Sequence, residues 1–133
     1  MHISVDVPSD VDVIEHAVDV VVRHCRACGV ADSVARFNLP VALTEALANA
    51  ILYGNGSDPS KLVKVLVGFD HDRIEVHVHD EGSGFDPEAI PDPTTPERMN
   101  RSDGRGLFLI RKLIGDVSFN DRGNEICMVL PRA

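Results

Sequence analysis

The order of apolar and polar residues at the start of the 133-residue chain predicts a strand and then a helix. Residues 2–7 alternate apolar and polar side chains, which is typical of a half-buried β-strand, and Pro8 ends that run. Apolar residues then recur about every 3.6 positions as far as Gly29, with Ser9 as a suitable cap for the start of this helix.

A second helical pattern covers residues 39–54, and two β-rich runs follow it. Asn38 and Pro40 suit the first turn of this second helix. Residues 61–69 and 73–80 are rich in valine and isoleucine and are separated by a short polar turn, which predicts a β-hairpin.

The last third of the chain contains a long loop, a short helix and a closing hairpin. Residues 86–103 hold four prolines among acidic and small residues, and loops of this length are usually functional. An amphipathic pattern at 106–115 predicts the helix, and residues 116–121 and 125–131 predict the hairpin. We expect one domain over residues 1–133. Its fold class is α/β (α+β): a two-layer sandwich with helices on one face of a mixed, largely antiparallel sheet.

Composition and charge restrict the class of protein. Hydrophobic residues make up 44% of the chain, and no apolar run has the roughly 18 residues that a membrane span needs. The chain begins without the pattern of a secretion signal, so we expect a cytoplasmic protein with no membrane partner. The formal net charge of −8 argues against direct binding of nucleic acid.

The three cysteines, Cys25, Cys28 and Cys127, do not suggest a disulfide framework, because their number is odd and no secretion signal precedes them. Cys25 and Cys28 have the CxxC spacing of zinc and redox sites. That pair lacks a second pair of ligands and lies inside a helical pattern. We therefore interpret both residues as small, buried helix residues.

The end of the predicted strand 73–80 allows two interpretations, a metal site or the start of a nucleotide-binding loop. Side chains on a strand alternate between its faces, so Asp80 lies on the opposite face from His77 and His79. One metal ion could not reach all three without a bulge. We predict that Glu75, His77 and His79 form a solvated or subunit-facing polar face.

Asp80 begins a DxGxG pattern and shares the apolar, core-facing side of its strand. A buried carboxylate is costly unless it accepts hydrogen bonds, and Gly82 and Gly84 allow a ligand close to the backbone. In the second helix, Glu45 and Asn49 are four residues apart and so occupy one face of an otherwise apolar helix. These residues predict a site that combines an acceptor for a base with a metal-holding amide.

A third segment, DGRG, adds a place for phosphate. Gly104 and Gly106 lead into a predicted helix, whose free N–H groups and positive dipole end favour anions. Arg98, Arg101 and Arg105 cluster beside these glycines in a chain that is otherwise acidic. The segment is therefore a candidate phosphate cradle.

Together these segments resemble the ATP-binding motifs of the GHKL (Bergerat-fold) ATPases. Residues 44–55 (TEALANAILYGN) resemble the N box, residues 80–85 (DEGSGF) the first glycine box and residues 103–110 (DGRGLFLI) the second. The order, the spacing and the ending at 115–132 are most similar to the bacterial anti-sigma-factor serine kinases. The resemblance covers nearly the whole chain.

The resemblance implies ATP and Mg²⁺ as cofactors and gives the residues of the three segments roles. Asp80 would accept a hydrogen bond from the adenine amino group, while Gly82 and Gly84 would shape the adenine and ribose wall. Asn49 would provide an oxygen for Mg²⁺. Glu45 would take the proton from the attacking serine hydroxyl or water.

The same resemblance implies that residues 86–103 form a lid over ATP. Arg98, Arg101 and Arg105 are then candidates to contact the phosphates. Tyr53 stands where members of the family often have histidine, which affects the details of the phosphate end.

The function that the resemblance implies is a protein-serine kinase that phosphorylates a STAS-type anti-anti-sigma protein, holds a sigma factor when free of it, and forms a homodimer. Two alternatives stay open: an ATP-binding regulatory module with little turnover, and a catalytic domain of the histidine-kinase type. Glu45 favours the serine kinase, because the histidine-kinase class usually has asparagine at that position.

Overall fold

The computed structural model describes residues 2–82 and 109–133 of the chain. Its strands are β1 His2–Pro8, β2 Leu62–Phe69, β3 Arg73–His79, β4 Asp116–Phe119 and β5 Glu125–Pro131. They form one sheet in the order β1-β2-β3-β5-β4, with every described pair antiparallel. The largely antiparallel α+β prediction is confirmed, and the parallel pairing allowed by the word "mixed" does not occur among these strands.

Helices pack against one face of this sheet. They are a single turn Val11–Val13, the helix α1 Ile14–Ala27 and the helix α2 Leu39–Asn49, which wider π-helical turns extend at Val34–Asn38 and at Ala50–Gly54. Residues 109–113 are also helical. Within the described ranges, no helix has the length and apolar character needed to cross a bilayer.

The core lies between the helices and the inner face of the sheet. Val65 in β2 is 1% exposed and pairs with Val5 of β1 and Val78 of β3. From the helical side, Leu43 and Leu47 of α2 are fully buried one turn apart. The inward-facing apolar side chains of the strands therefore pack against the leucines of α2. Because side chains alternate along a strand, this packing determines which face of the sheet is buried.

The outer face of the sheet carries the other half of the alternation. Lys64, Leu66 and His79 are exposed there, and Glu75 and His77 are half-buried. This arrangement confirms the prediction that Glu75, His77 and His79 share a polar face.

The predicted cap of the first helix was wrong. Asp10 caps the first turn, because its side chain accepts a hydrogen bond from the Asp12 N–H at 2.9 Å. Ser9 is buried instead, and its hydroxyl donates to the Lys61 carbonyl at 2.7 Å. Asp and Ser are equally good caps by residue type, so only the burial of Ser9 decides between them.

The second helix begins at Leu39 with Pro40 in its first turn, as predicted. The backbone of Asn38 is helical, and its side chain caps nothing. The chain enters α2 through the π-helical turn that ends at Asn38. A π turn carries an extra residue per turn and changes the helical phase, so the regular period of α2 does not reveal the turn that precedes it.

Arg132 ties the end of α1 to the turn between β2 and β3. Its backbone N–H donates to the Asp72 carbonyl at 2.9 Å, and its guanidinium donates to the Asp70 carbonyl at 2.7 Å and to the Cys28 carbonyl. Its own carbonyl accepts from the Ala31 N–H at 2.8 Å. The C-terminal strand thus holds the first helix against the sheet at the end remote from Asp80.

Candidate functional site

Asp80 lies directly after β3, buried among the residues that cover the sheet. It is 8% exposed and shares the inward side with Val76 and Val78, as the alternation predicts. Its backbone N–H donates to the Asn124 carbonyl at 2.9 Å, and its Oδ1 accepts from the Gly82 N–H at 2.8 Å. The carboxylate is therefore held at one point in the fold.

Two glycines make room for this carboxylate. A Cβ on Gly54 would lie 2.3 Å from Cγ and from Oδ2 of Asp80. A Cβ on Gly82 would lie 2.1 Å from the Gly54 carbonyl oxygen and 2.9 Å from Oδ1 of Asp80. Any other residue at either position would collide with its neighbours, so the backbones of the helix end and the loop pack directly on each other.

The surroundings of Asp80 disfavour its ionised form. Burial raises the pKa of the Asp80 carboxyl above its ordinary value of 3.8, while the Gly82 N–H and the charges of His79 and Lys61 oppose part of that rise. A ligand group that donates a hydrogen bond to this carboxylate would relieve the same penalty. The site thus suits a neutral or cationic donor such as the amino group of a base.

Glu45 and Asn49 lie on α2, the helix that leads to Gly54. Both are half-buried, and their spacing of four residues places them on one face of the helix. Asn49 precedes Gly54 by five residues, a distance of about 7 Å along a helix axis, and Glu45 lies about 6 Å further back. The helix therefore carries Asn49 and then Glu45 at increasing distance from the contact between Gly54 and Asp80.

Asn55 is a buried residue of the site that the sequence pattern missed. It is 3% exposed, its side-chain oxygen accepts from the Glu81 N–H at 2.7 Å, and its amide nitrogen donates to Ser9 Oγ at 2.9 Å and to the Leu62 carbonyl at 3.1 Å. From sequence it belongs to a turn-rich loop, NGSDPS. The signal that could have found it is its place as the last residue of the segment 44–55, which resembles the N box.

Asn124 was missed for the same reason. It is 5% exposed, and its side-chain amide donates to the Gly82 carbonyl at 3.2 Å. Asn120 holds it in turn, accepting from the Asn124 N–H at 3.0 Å and donating to its side-chain oxygen at 2.7 Å. The turn between β4 and β5 therefore supports the loop of Asp80 through Asn124, as Asn55 does through the Glu81 N–H.

Several predicted site residues lie outside the described residues. The lid predicted at residues 86–103 and the phosphate cradle belong to that part of the chain. Its site residues are Gly84, Arg98, Arg101, Gly104, Arg105 and Gly106. The structure thus brings together Asp80, Gly82 and the end of α2, and the phosphate end stays a prediction.

The outer face holds no metal site among the described residues. Glu125 Oε1 lies 3.9 Å from His77 Nδ1 and 3.7 Å from His79 Nδ1, and His77 Nε2 lies 3.7 Å from the Cys127 sulfur. These contacts are weak, exposed or half-exposed pairs of the kind that contribute little to stability.

The CxxC pair does not have the properties of a reactive site. Cys25 is fully buried, and burial, together with the neighbouring Cys28, raises the pKa of its thiol to about 11. Cys28 is half-buried and follows the last residue of α1. Since a reactive thiol needs a lowered pKa, the interpretation as structural helix residues is confirmed for Cys25, and Cys28 is less buried than predicted.

Residues 7–130 match the family of the histidine kinase-like ATPase domain. The fold is the α+β arrangement expected for it, and the match covers nearly all of the 133 residues. The chain therefore belongs to the histidine kinase-like ATPase domain family, and its predicted resemblance to the GHKL ATPases is confirmed.

The chain is also similar to serine-protein kinases called RsbW. It is 33% identical over 98 residues to that of Oceanobacillus iheyensis, a stretch covering 69% of this chain and 62% of the relative. For Listeria innocua the identity is 31% over 98 residues, covering 68% and 62%. For Staphylococcus epidermidis it is 33% over 98 residues, covering 67% and 61%. The matched stretch thus spans less than two thirds of these relatives.

Proposed function

We propose that the chain binds ATP with Mg²⁺ and transfers the terminal phosphate to a serine of a protein. The observation that carries this proposal is the buried Asp80 carboxylate, packed between two glycines at the end of the helix that also carries Glu45 and Asn49. Similarity to serine-protein kinases supports the same activity.

The adenine end of the pocket is built around Asp80. Its carboxylate accepts a hydrogen bond from the amino group of adenine, and Gly82 and Gly84 form the wall beside the base and ribose. The raised pKa of Asp80 supports this role, because a bound donor offsets the burial that raises it.

The reaction end of the pocket is built on α2. The side-chain oxygen of Asn49 fits Mg²⁺, which prefers hard oxygen ligands and retains several sites for water and phosphate. When bound, Mg²⁺ neutralises charge on the phosphates. Glu45, one turn earlier, accepts the proton of the serine hydroxyl. A half-buried carboxylate suits that role, because it stays reachable for a substrate.

The phosphates of ATP are bound by the segment DGRG and by the lid in this proposal. Gly104 and Gly106, which precede the helical residues 109–113 in the sequence, hold phosphate through backbone N–H groups in this proposal, and Arg98, Arg101 and Arg105 contact the phosphates from the lid. Residues 86–103 close over ATP in this proposal. These assignments rest on the resemblance of the DGRG segment.

The protein partners follow from the resemblance to anti-sigma-factor kinases. We propose that the substrate is a serine of a STAS-type anti-anti-sigma protein. The kinase binds a sigma factor when it is not bound to the STAS protein. It acts in the cytoplasm as a single domain that forms a homodimer. The edge strand β1, whose outer backbone groups a second chain could pair, supports the homodimer.

Transfer of labelled phosphate tests the activity. The purified chain is incubated with ATP labelled at the terminal phosphate and a serine-bearing STAS protein encoded near it. The expected result is label on the STAS serine, lost when that serine is replaced by alanine. ATP binding without transfer to any such partner would contradict the kinase and favour the ATP-binding module with little turnover.

A further inference from the structure

We propose that Asn55 is a positioning residue that orients the Asp80 carboxylate toward the base, so that selectivity for adenine depends on Asn55. This inference rests on the proposed binding of an adenine nucleotide. In this proposal Asn55 acts through Asp80 and does not contact the nucleotide.

The direction of the Asp80 side chain depends on the two peptide planes that flank its Cα. A peptide group is planar, so one hydrogen bond to each plane fixes the backbone angles between them. The plane before Asp80 is held by the bond from the Asp80 N–H to the Asn124 carbonyl at 2.9 Å. The plane after it is held by the bond from the Glu81 N–H to the Asn55 side-chain oxygen at 2.7 Å.

Only the second of these two bonds is made by a side chain. The bond to Asn124 uses a backbone carbonyl and survives any substitution there. The bond to Asn55 is lost when its side chain is removed, which frees the peptide between Asp80 and Glu81 to turn. Asn55 is therefore a position at which the orientation of Asp80 can be changed without altering Asp80 itself or the Gly82 N–H that donates to its Oδ1.

The Asn55 side chain is itself fixed from three directions. Its amide nitrogen donates to Ser9 Oγ and to the Leu62 carbonyl, and its backbone N–H donates to the Ala50 carbonyl at 2.8 Å in the last turn of the helix. Both amide protons and the oxygen are thus used, so no other residue of similar size reproduces the set. Through Asn55, the helix that carries Glu45 and Asn49 is tied directly to the loop that carries Asp80.

A second hydrogen bond holds the loop of Asp80 in place, but it does not involve the peptide between Asp80 and Glu81. The Glu81 side chain accepts a hydrogen bond from the Leu62 N–H at 2.5 Å, which anchors the loop to the start of β2. Loss of Asn55 therefore leaves the loop attached while its first peptide is released. We therefore expect the Asn55 variant to fold but to hold the Asp80 carboxylate in a different orientation.

Comparing ADP with inosine diphosphate separates orientation from general stability. Inosine diphosphate carries a carbonyl oxygen in place of the adenine amino group and a proton on the neighbouring ring nitrogen, so it cannot donate to Asp80 from the position of the amino group. In calorimetric titrations the unsubstituted chain should bind ADP at least about tenfold more tightly than inosine diphosphate, the effect of one hydrogen bond to a charged group. Asn55→Ala should lose most of that preference, through weaker ADP binding and nearly unchanged binding of inosine diphosphate.

Ser9→Ala is the matched control. It removes a partner of the Asn55 amide in the same buried network and leaves the bond between Asn55 and Glu81 in place. Its melting temperature should fall in the same direction as that of Asn55→Ala, while its preference for ADP persists. If Asn55→Ala does not fold, Asn55→Gln displaces the amide by one methylene and gives the same comparison.

Three outcomes distinguish the possibilities. Loss of the ADP preference in the Asn55 variant, with retention in Ser9→Ala, supports the positioning role. An unchanged preference, or an equal loss of affinity for both nucleotides, overturns it and leaves Asn55 a structural residue. If the unsubstituted chain binds neither nucleotide, or binds both alike, the proposed adenine site is itself overturned.

Discussion

The backbone of Gly54, at the end of the helix, lies against the carboxylate of Asp80, at the end of β3. A Cβ on Gly54 would stand 2.3 Å from Cγ of Asp80. The two residues are far apart in the sequence, and their contact joins the helix of Glu45 and Asn49 to the buried carboxylate. The position of Gly54 therefore decides whether the two ends of the candidate pocket face each other.

Gly54→Ala should impair ADP binding and folding together. The added methyl group would collide with Asp80, and forcing an extra carbon into a packed site costs roughly 1–3 kcal/mol. We expect a lower melting temperature and a clear loss of ADP affinity by calorimetry. Gly68→Ala in β2 is the control, because a Cβ there meets no atom within 4 Å. Equal behaviour of the two variants would show that the Gly54 contact is unimportant.

Asp80→Asn should weaken nucleotide binding while stabilising the nucleotide-free protein. Asparagine can still accept from the Gly82 N–H, but it lacks the charge that strengthens a hydrogen bond from adenine. The expected loss for ADP is roughly 1.5–3 kcal/mol for each such hydrogen bond. Thermal unfolding without nucleotide should show a higher melting temperature near pH 7, because a buried charge has been removed. Unchanged ADP affinity would remove Asp80 from the site.

The sequence predicted the strands well because each has one face in a single core. The alternation of apolar and polar residues along β2 and β3 therefore matches the buried and exposed faces of these strands. The inward position of Asp80 was predicted from this alternation. The start of the second helix at Leu39 and its end at Gly54 were also predicted, but the π-helical turns Val34–Asn38 and Ala50–Gly54 were not, since they break the regular period.

The polar support of the site could not be predicted from the sequence. Asn55 and Asn124 stand in stretches whose composition indicates turns, and both are buried. Asn55 is buried by partners as distant in sequence as Ser9, 46 positions away. Such burial depends on tertiary contacts that local pattern does not encode.

The stability of the nucleotide-free chain should depend on pH through Asp80. Its folded pKa is raised above 3.8, so between the unfolded and folded pKa values the folded protein binds more protons. Stability from this group is therefore greatest below that window and falls as pH rises through it. The difference in melting temperature between Asp80→Asn and the unsubstituted chain should therefore become smaller as the pH falls from the folded to the unfolded pKa of Asp80. An advantage that stays constant from pH 7 to the acid range would contradict the assignment.

Arg132→Ala should lower stability without affecting nucleotide binding. The substitution removes hydrogen bonds to the Asp70 and Cys28 carbonyls, and a lost bond to a charged group costs about 1.5–3 kcal/mol. The site at Asp80 lies at the other end of β3, roughly 20 Å away. Urea unfolding should show the loss, with ADP affinity of the folded variant unchanged. The exposed Arg122, replaced by alanine, is the control and should behave like the unsubstituted chain.

Glu45 and Asn49 should separate binding from chemistry, although they share one face of α2. Glu45→Ala removes the proposed proton acceptor and leaves the adenine end intact, so ATP affinity should persist while phosphate transfer falls by ~10²–10⁴-fold. Asn49→Ala removes an oxygen proposed for Mg²⁺, so Mg²⁺-dependent ATP affinity and transfer should fall together. Titrations with and without Mg²⁺, paired with label transfer to the partner, measure both effects.

Thr44→Ala is a suitable control for this pair. Its hydroxyl donates to the Pro40 carbonyl at 2.7 Å within the same helix, and its exposed side chain lies on another face. It should leave binding and transfer unchanged. If Glu45→Ala transfers phosphate at the normal rate, the proton acceptor is another group or the substrate itself. If Asn49→Ala loses affinity equally with and without Mg²⁺, Asn49 contributes to the shape of the pocket and does not bind the metal.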